Sequence, residues 1–444
     1  MNLVETYKRR IAVSEKVYAK NHQNAAISEN LKNTVARCLA NTSAFLGEAF
    51  APSAATQRSD MGEFKKFTLD VTTCVLPNLI ASDLVITKPM ASFTGFVQYI
   101  EFVAGDNKNG VKADSLFNNP FALGKMTAER EGYTAGAVAE EVTVGESGIT
   151  QLSWKPLYEG FKPEIVGGES GASVEIVDAA AGTVKVTGAS GSVKIKYVWN
   201  MITIPQPNLP HLKARIGHVT LEAKPRRIAI EYSQIAAFQA KHEMGIDLGK
   251  MLADQAVSEI SYEIDTEVVT LLHESAPADA TLVFNKRKPN GISLAEHYEG
   301  FSVTVAQASQ IIYDRTGKHA ANYMICASDI LPILGLMRGW KATDGKRVGP
   351  YLAGSLNGLK VYVSPAIKAG EFVCGFNGDD LMTSAAIFAP YMAIVPTQLL
   401  GFADGGMSQG FSTLYDVKLL NSALLVKGHI VDEPQPVEVE TVNA

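Results

Sequence analysis

Residues 248–272 carry the strongest periodic signal in the chain. Apolar side chains recur there at steps of three and four residues, the spacing of one face of an α-helix. Asp247 precedes the stretch as an N-cap residue and Pro277 follows it as a stop. At 1.5 Å per residue the predicted helix is about 37 Å long, so it can act as a spine for its neighbours. Its acidic residues, Asp265 among them, fall largely outside the apolar stripe. The stripe contains Leu248, Leu252, Ala256, Ile260, Ile264, Val268 and Leu271.

The first 48 residues also predict helix, with no proline before Pro52. Residues 51–63 are small and polar, which is typical of a linker. A helical arm on a tether has no core of its own, so we expect it to dock on the body of the protein or on a neighbouring chain. After the linker, apolar residues between 67 and 71 alternate with polar ones and predict a strand. The stripe of the arm contains Leu31, Val35, Cys38, Leu39, Thr42, Phe45 and Leu46.

Residues 138–204 differ in composition from their surroundings and predict a small inserted β domain. Gly, Ser, Thr and Val dominate, and short alternating runs are separated by glycines. Residues 217–232 predict a further strand region. The three clearest runs of the inserted domain are 172–177, 182–187 and 192–198.

The second half of the chain alternates helix and strand between 280 and 430, which makes the predicted fold class α+β. Ser302 is expected to cap a helix that ends at Gly317. Residues 338–357 are rich in glycine and charge, which is typical of a mobile loop. The acidic tail 431–444 contains two prolines and is expected to fray.

Composition excludes several classes of protein. Hydrophobic residues make up 46% of the chain, so it is not largely disordered. Charged residues make up 19%, below the roughly 25% of an average globular protein, which predicts that much surface is buried between subunits. The net charge of −6 argues against tight binding of DNA. The amino-terminal sequence lacks the apolar core of a signal peptide, and no apolar run is long enough for a membrane span, so we expect a soluble, intracellular protein without membrane partners.

No catalytic, cofactor-binding or metal-binding constellation emerges from the sequence. Cys38, Cys74, Cys326 and Cys374 form no CxxC pair, and the histidines are scattered. We therefore expect the cysteines to be buried small side chains, with no metal and no cofactor. This absence in so long a chain favours a structural role over an enzymatic one.

One motif approaches that of a hydrolase. Residues 406–410 match G-x-S-x-G around Ser408, and Asp416 and His429 follow in the order of a catalytic triad. The motif requires a strand before it and a helix after it, whereas here a loop precedes and a strand follows. We therefore predict a glycine-rich turn, and a hydrolase using Ser408 remains the alternative from another class.

Two further motifs fail on spacing. Residues 339–347 approach a phosphate loop but have one residue too many between their glycines. His242 and Glu243 begin like a zinc-protease motif, but Ile246 stands where the second histidine is needed.

A small basic cluster in a predicted strand has three possible roles. It is compatible with contact to DNA, with contact to an acidic patch on a neighbouring subunit, or with a solvated face. The cluster consists of Lys224, Arg226 and Arg227.

Three stretches together resemble the major capsid proteins of tailed bacteriophages, in the T-even branch. The first is LPNLIA with LVITKPM within 76–90. The second comprises VTLEAK and IAIEY, followed by KHEMGID and by the long helix that ends EIDTEV, within 219–268. The third is LKVYV, VCGFNG and FAPY within 359–391. Their order and spacing match that family over roughly residues 66–430.

The resemblance implies a Hong Kong 97-like capsid fold with an inserted β domain. That fold has an N-terminal arm (N-arm), a peripheral (P) domain with a long spine helix, an extended E-loop, and an axial (A) domain. The implied ranges are 1–65 for the N-arm, 66–90 and 216–279 for the P domain, 91–215 for the E-loop region with its insertion at 138–204, 280–430 for the A domain, and 431–444 for the tail.

The function implied is mechanical. Many copies would form hexamers, and pentamers or a vertex protein would close an icosahedral head around double-stranded DNA, which is contacted weakly and without sequence specificity. Residues 338–357 would project near the hexamer axis. Expected partners are other copies and vertex, decoration, scaffold and portal proteins. The expected location is the virion capsid, assembled in the host bacterial cytoplasm.

Other interpretations stay open at this point. Within the same fold, the chain is compatible with the vertex paralogue of the capsid protein or with an encapsulin-type shell. From a different class, the β module is compatible with a carbohydrate- or surface-binding protein.

The same resemblance implies a processing site. Relatives are trimmed by a prohead protease that cuts after Glu in a Leu/Ile-x-Glu context. Leu46-Gly-Glu48 fits this pattern at the end of the helical arm, and Ile27-Ser-Glu29 also fits. We therefore take Glu48 as the candidate cleavage residue.

Overall fold

The computed structural model describes residues 3–21, 25–49, 68–109, 111–114, 133–145, 147–166, 172–188, 191–202, 209–343 and 349–432. They form two compact units. The main unit comprises Met1–Val97, His218–Tyr313 and Lys318–Ala444, and the inserted unit comprises Gln98–Gly217 with Asp314–Gly317.

Helices and strands are both abundant, which confirms the α+β class. The α-helices are α1 (Leu3–Thr6), α2 (Lys8–Asn21), α3 (Glu29–Ala49), α4 (68–75), α5 (Ala81–Leu84), α6 (Gln234–Glu243), α7 (Leu248–Ser275), α8 (Leu294–Thr316) and α9 (Leu331–Gly335). The strands are β1 (Ile86–Thr87), β2 (Thr94–Ala104), β3 (Ala137–Val144), β4 (Ile149–Gln151), β5 (Glu164–Ile165), β6 (Ser173–Asp178), β7 (Thr183–Thr187), β8 (Gly191–Val198), β9 (Leu212–Glu222), β10 (Lys224–Ser233), β11 (Ala278–Asn285), β12 (Tyr323–Cys326), β13 (Trp340–Ala342), β14 (Tyr351–Leu356), β15 (Leu359–Val363), β16 (Glu371–Gly375), β17 (Ala386–Pro396), β18 (Leu400–Gly401), β19 (Gly406–Leu419) and β20 (Leu425–Val431).

The predicted spine is helix α7, 28 residues long. Asp247 caps it by accepting a hydrogen bond from the Lys250 backbone N–H at 3.2 Å, and the helix ends two residues before Pro277. The stripe side chains Ala256, Ile260, Ile264 and Val268 are buried. The apolar periodicity therefore located both the helix and its core face correctly.

Two sheets complete the main unit. Sheet 1 has the order β1-β17-β19-β10, with β18 on β19, and sheet 2 has the order β11-β20-β16-β12-β15-β14-β13. Helix α7 packs on sheet 1, within a core that includes Phe388 and Phe411. A second core surrounds α8, where the Phe301 ring meets the Phe372 ring edge-on at 5.3 Å between centroids.

The amino-terminal helices dock on their own chain, one of the two outcomes expected from the sequence. Val35, Cys38 and Leu39 of α3 are fully buried in the core that α7 shares. Asn41 donates hydrogen bonds from Nδ2 to the carbonyls of Met90 at 2.9 Å and Tyr391 at 2.8 Å. Apolar burial therefore holds the arm in place, and side-chain hydrogen bonds set its register on the body.

A polar cluster lies within this apolar core. The Tyr18 hydroxyl of α2 donates to Asp83 Oδ1 at 2.6 Å, and the Tyr362 hydroxyl of β15 donates to Asp83 Oδ2 at 3.1 Å. Asp265 Oδ1 accepts from the Ala81 backbone N–H at 3.0 Å. The cluster joins the arm, helix α5, the spine and sheet 2. Burial, and then the Asp83 charge, raises the pKa values of both tyrosines.

Asp265 corrects the sequence interpretation, which placed the acidic residues of the spine largely outside the stripe. Its side chain is buried among α7, α5 and the residues that precede α5. The short helix α5 needs an acceptor for its first N–H groups, and Asp265 supplies one from another element. Burial raises the pKa of Asp265 to about 7, with a further contribution from the Asp83 charge, against the opposing effect of the backbone N–H donors.

The predicted strand at 67–71 is wrong where it is described, because residues 68–75 form helix α4. Its inner face carries threonines beside the apolar Val75. Thr72 and Thr73 are buried and donate back to the carbonyls of Thr68 and Leu69. Back-bonding of this kind satisfies the hydroxyls inside the helix, so the apolar pattern alone misleads.

Three other boundaries also differ from the predictions. Helix α8 begins at Leu294, and Ser293 caps it by accepting from the Glu296 N–H at 3.2 Å. Ser302 lies inside the helix and donates back to the Glu299 carbonyl. The strand region 217–232 consists of parts of β9 and β10, which are separated at Ala223. The described part of the predicted loop 338–357 contains β13 and β14, which pair antiparallel.

The inserted unit contains the predicted β module, and the three predicted runs are strands β6, β7 and β8. Two sheets, β3-β8-β5 and β4-β7-β6, enclose a core that includes Trp154, Tyr197 and Trp199. Lys108 is buried, and its Nζ lies 4.8 Å from each of two ring centroids, those of Trp154 and Trp199. Its Nζ also donates to the Ala135 carbonyl at 2.7 Å. Burial lowers the pKa of Lys108, and the two indole faces partly replace its lost hydration.

Replacing Ile260 by Asp tests the facing of the spine. A carboxylate at this buried position has no partner, so we expect a loss of more than about 3 kcal/mol in the free energy of unfolding, measured by urea denaturation. Ser258→Asp introduces the same charge at an exposed position of α7 and serves as the control. Equal stability of the two variants would contradict the burial of this face.

Asp265→Asn tests the buried carboxyl. The folded-state pKa of about 7 lies above the ordinary value of 3.8, so the native state holds the proton more tightly than the unfolded state. The contribution of Asp265 to the free energy of unfolding is greatest below about pH 4. It falls by up to about 4 kcal/mol as the pH rises to 7. Asn accepts the same hydrogen bond without a charge. We therefore expect its urea midpoint to exceed that of the wild type increasingly from pH 4 to pH 7.

The control for this experiment is Asp254→Asn, at an exposed position of the same helix. It should follow the wild-type pH profile throughout. A difference between Asp265→Asn and the wild type that does not change with pH would refute a raised pKa.

Candidate functional site

Several of the most exposed apolar side chains of the main unit lie on helix α6 and beside it. No residue of α6 is buried. Ile235 is 72% exposed, Phe238 64%, and Met244, at the end of the helix, 71%. Leu400 and Phe402 are more than half exposed. We call these five residues the α6 surface.

The fold brings the two parts of the α6 surface together. Strand β10 pairs with β19 up to Ser233 and Gly406, and α6 begins at the next residue. The Gln234 N–H donates to the Gly405 carbonyl at 3.0 Å, which places the start of α6 beside the turn that carries Phe402. Strand β18 pairs Leu400 with Ser408 on the same β19 strand.

Helix α6 is well formed, although none of the residues that the structure describes buries its apolar side chains. Ser233 caps it by accepting from the Ile235 N–H at 3.2 Å, and Gly245 ends it with φ of +67°. The helical signal of the sequence extends over residues 233–273, and the structure divides it into α6 and α7. A short helix with several exposed large apolar side chains is typical of a surface that another molecule covers.

A second exposed apolar region belongs to strands β2 and β9, which pair with each other. Most of β9 is exposed, including Leu212 and Ile216 in the inserted unit. In the main unit, Phe96 of β2 is exposed and meets His218 edge-on at 6.2 Å between centroids. A ribbon of two strands is marginally stable in water by itself, so neighbouring surface is expected to support it.

The basic cluster finds its acidic partner within the same chain. Arg226 contacts Glu263 at 3.0 Å and Glu267 at 2.6 Å, both on the spine. Its guanidinium also lies 5.7 Å from the ring centroid of Tyr415, whose hydroxyl donates to Glu267 at 2.5 Å. Burial, together with the Glu267 carboxylate, raises the pKa of Tyr415. Arg226 thus fastens β10 to α7, while Lys224 and Arg227 are exposed.

The hydrolase arrangement is absent from the described residues. Ser408 lies within strand β19, opposite Glu231 of β10, and not in the glycine-rich turn that we expected. Asp416 is buried eight residues further along the same strand, about 27 Å away at 3.4 Å per residue, and accepts from the Glu222 N–H. His429 lies on β20 of sheet 2. These three side chains cannot form a triad.

The other candidate motifs lie apart from one another. His242 and Glu243 end helix α6. Trp340–Ala342 forms β13, and residues 344–348 of the loop-like motif lie outside the described residues. Within the described residues, no group of three or more His, Cys, Asp or Glu side chains is placed to hold a metal ion. No helix in the described part of the chain is long and apolar enough to cross a membrane.

The cysteines have no disulfide partners, and three of them, Cys38, Cys326 and Cys374, are buried as expected. Cys74 is only partly buried. Burial raises the pKa of Cys38 and of Cys374 to about 12. These thiols stay protonated at neutral pH, which makes them poor nucleophiles.

The candidate cleavage residue lies within helix α3. Glu48 occupies its last turn, two residues beyond Leu46, whose side chain is fully buried against Met392 and Val395. Glu29, the alternative, begins the same helix and pairs with Lys32 at 3.1 Å. The whole linker, 51–63, lies outside the described residues.

Comparison with known proteins decides the family. The family described as Major capsid protein Gp23 matches residues 61–435. The chain belongs to this family. Relatives include the major capsid proteins of Enterobacteria phage T4, 24% identical, and of Vibrio phage KVP40, 23% identical. The first match covers 77% of this chain and 72% of the relative, and the second covers 78% and 74%.

Solved structures from phages are also similar to the chain. One is from Microbacterium phage Oxtober96, with 10% identity, 80% of this chain and 91% of that chain covered, and a TM-score of 0.39. Another, described as the capsid of Myoviridae phage XM1, has 7% identity, 68% and 88% covered, and a TM-score of 0.36.

Family membership confirms the main expectations from the sequence. The chain is a major capsid protein of a tailed phage, related to those of the T-even branch, with the α+β, Hong Kong 97-like fold of that family. It is a structural protein and not an enzyme, and its location is the virion capsid.

Replacing Arg226 by Ala tests its role between strand and spine. The substitution removes two charge-assisted hydrogen bonds at a partly exposed site, so we expect a loss of about 1 kcal/mol in the free energy of unfolding. Arg227→Ala removes the neighbouring exposed charge and should cost less than about 0.5 kcal/mol. If the two variants lose equal stability in urea, Arg226 does not act through the spine glutamates.

Proposed function

We propose that copies of this chain assemble into hexamers, and into pentamers or with a vertex protein, to form an icosahedral head around double-stranded DNA. Family membership supports self-assembly into capsomers. The observation that carries the proposal within this chain is the α6 surface, since its large apolar side chains on a capped helix stay exposed among the described residues. Covering them in an assembly removes apolar area from water.

This proposal also assigns each range of residues to a part of the capsid fold. We assign 1–65 to the N-arm, 66–90 and 216–279 to the P domain, 91–215 to the E-loop region with its insertion at 138–204, 280–430 to the A domain and 431–444 to the tail. The long α7 helix supports the P-domain assignment, and the exposed β2–β9 ribbon supports an E-loop that neighbours stabilise. Weak contact with DNA agrees with the net charge of −6. Scaffold, decoration and portal partners and assembly in the host cytoplasm stay predictions.

Replacing Phe238 by Asp tests the α6 surface. The side chain is mostly exposed, so the variant should fold with an unchanged thermal midpoint. Assembly would bury an unpaired charge, so we expect at least a tenfold loss of particles, counted by negative-stain microscopy and by sedimentation. Phe238→Leu keeps an apolar side chain and should retain most of the particles. Normal heads from Phe238→Asp would exclude this surface from the assembly contacts.

We also propose that a prohead protease cuts after Glu48. Proteases bind extended backbone, so the last turn of α3 must open before the cut. The intact mass of the wild-type capsid protein from mature heads should lack residues 1–48. The Glu48→Gln variant should not be cut and should keep its full-length mass. Because Leu46 and most of the apolar stripe of α3 are buried, the cut fragment should leave only slowly. A full-length mass in mature heads would refute this site.

A further inference from the structure

A group of basic side chains surrounds the point at which the chain leaves sheet 2. Strands β11 and β20 are parallel, with Asn285 opposite Val431, so both leave the sheet at the same end. The Lys286 N–H donates to the Val431 carbonyl at 2.8 Å, which fixes the turn after β11 beside the end of β20. We call this group the basic cradle. It contains Lys286, Arg287, Lys288 and Lys368.

The fourth member lies on the other side of β20. Strand β16 runs antiparallel to β20, with Glu371 opposite His429. The Ile430 N–H donates to the Gly370 carbonyl at 2.6 Å, so the turn that carries Lys368 also lies at this end of the sheet. The side chain of Glu371 is engaged by His273 at 2.5 Å.

The three lysines of the cradle carry positive charge that no carboxylate in the described ranges balances. All four of its residues are exposed. Lys286, Lys288 and Lys368 form no ion pair with any residue in the described ranges, although Lys288 Nζ donates to the Ile292 carbonyl at 3.3 Å. Like charges held at one sheet end repel each other, so an anionic segment bound there would be stabilised.

The chain that continues from β20 has the complementary charge. Residues 432–444 contain Asp432, Glu433, Glu438 and Glu440 and no Lys or Arg. A chain reaches at most about 3.3–3.6 Å per residue, so the length between Val431 and these carboxylates is enough for them to contact the cradle lysines. Attachment at Val431 gives the segment a high effective concentration there, which a second copy lacks.

We propose that the acidic segment 432–444 binds the basic cradle of its own chain. The bound segment neutralises the end of sheet 2 and shields the cradle from other polyanions. The interaction is electrostatic between exposed groups, so it weakens as salt rises.

Zero-length carbodiimide crosslinking of the full chain tests this binding. A mixture of ¹⁴N- and ¹⁵N-labelled protein is treated at low salt, and the crosslinked peptides are identified by mass. We expect crosslinks of the cradle lysines to Glu433, Glu438 or Glu440, with one isotope in each pair. Lys32, which lies 3.1 Å from both Glu15 and Glu29, is the internal positive control. Mixed-isotope pairs, or a reactive control without cradle crosslinks, would overturn the proposal.

Lysine acetylation gives an independent measure in a folded chain of the same length. The variant carrying Glu433→Gln, Glu438→Gln and Glu440→Gln should acetylate Lys286, Lys288 and Lys368 about two- to threefold faster than the wild type at low salt. The difference should vanish at about 0.5 M NaCl, where charges are screened within a few ångströms. Lys32 should react equally in both proteins. Equal rates at the cradle lysines would show that the acidic segment does not bind there.

Discussion

Burial of one face of the spine helix is the constraint on which the main unit depends. The stripe of α7 meets sheet 1 and the amino-terminal helices in one continuous apolar core, so these elements can be placed only together. Apolar burial alone, however, does not specify how these elements are arranged relative to one another. Asp83 and Asp265 add hydrogen bonds that only one arrangement of α2, α5, α7 and β15 satisfies. Apolar area therefore supplies the stability, and a few buried polar groups select the geometry.

Sequence periodicity predicted what depends on apolar burial and missed what depends on polar compensation. Helix α7 and strands β6, β7 and β8 each repeat one hydrophobic pattern without interruption, so they were predicted from the sequence. Helix α4 was taken for a strand because threonines occupy its inner face, and Asp265 was placed outside the core because its partner is a distant backbone group. Neither the threonine hydrogen bonds of α4 nor the hydrogen bond to Asp265 can be detected in the apolar pattern of its own segment.

The functional surface was less predictable than the fold for a related reason. The family could be recognised from ordered motifs between residues 76 and 391, but Phe238 lies between two segments of the second motif and Phe402 lies beyond the third. An apolar residue on a helix predicts burial without saying whether its own chain or another copy covers it. The low charged fraction of 19% indicated that such surface exists. Only the fold shows that α6 and the turn before β19 lie together.

The bond pattern of Asn41 has a consequence for how this protein can change over evolutionary time. Its amide bonds to the main-chain carbonyls of Met90 and Tyr391, and Ser14 likewise donates to the carbonyl of Thr73. A carbonyl is present whatever side chain the residue carries. Substitutions at Thr73, Met90 or Tyr391 would leave these acceptors in place. The body can therefore diverge in sequence while the arm keeps the same hydrogen bonds to it.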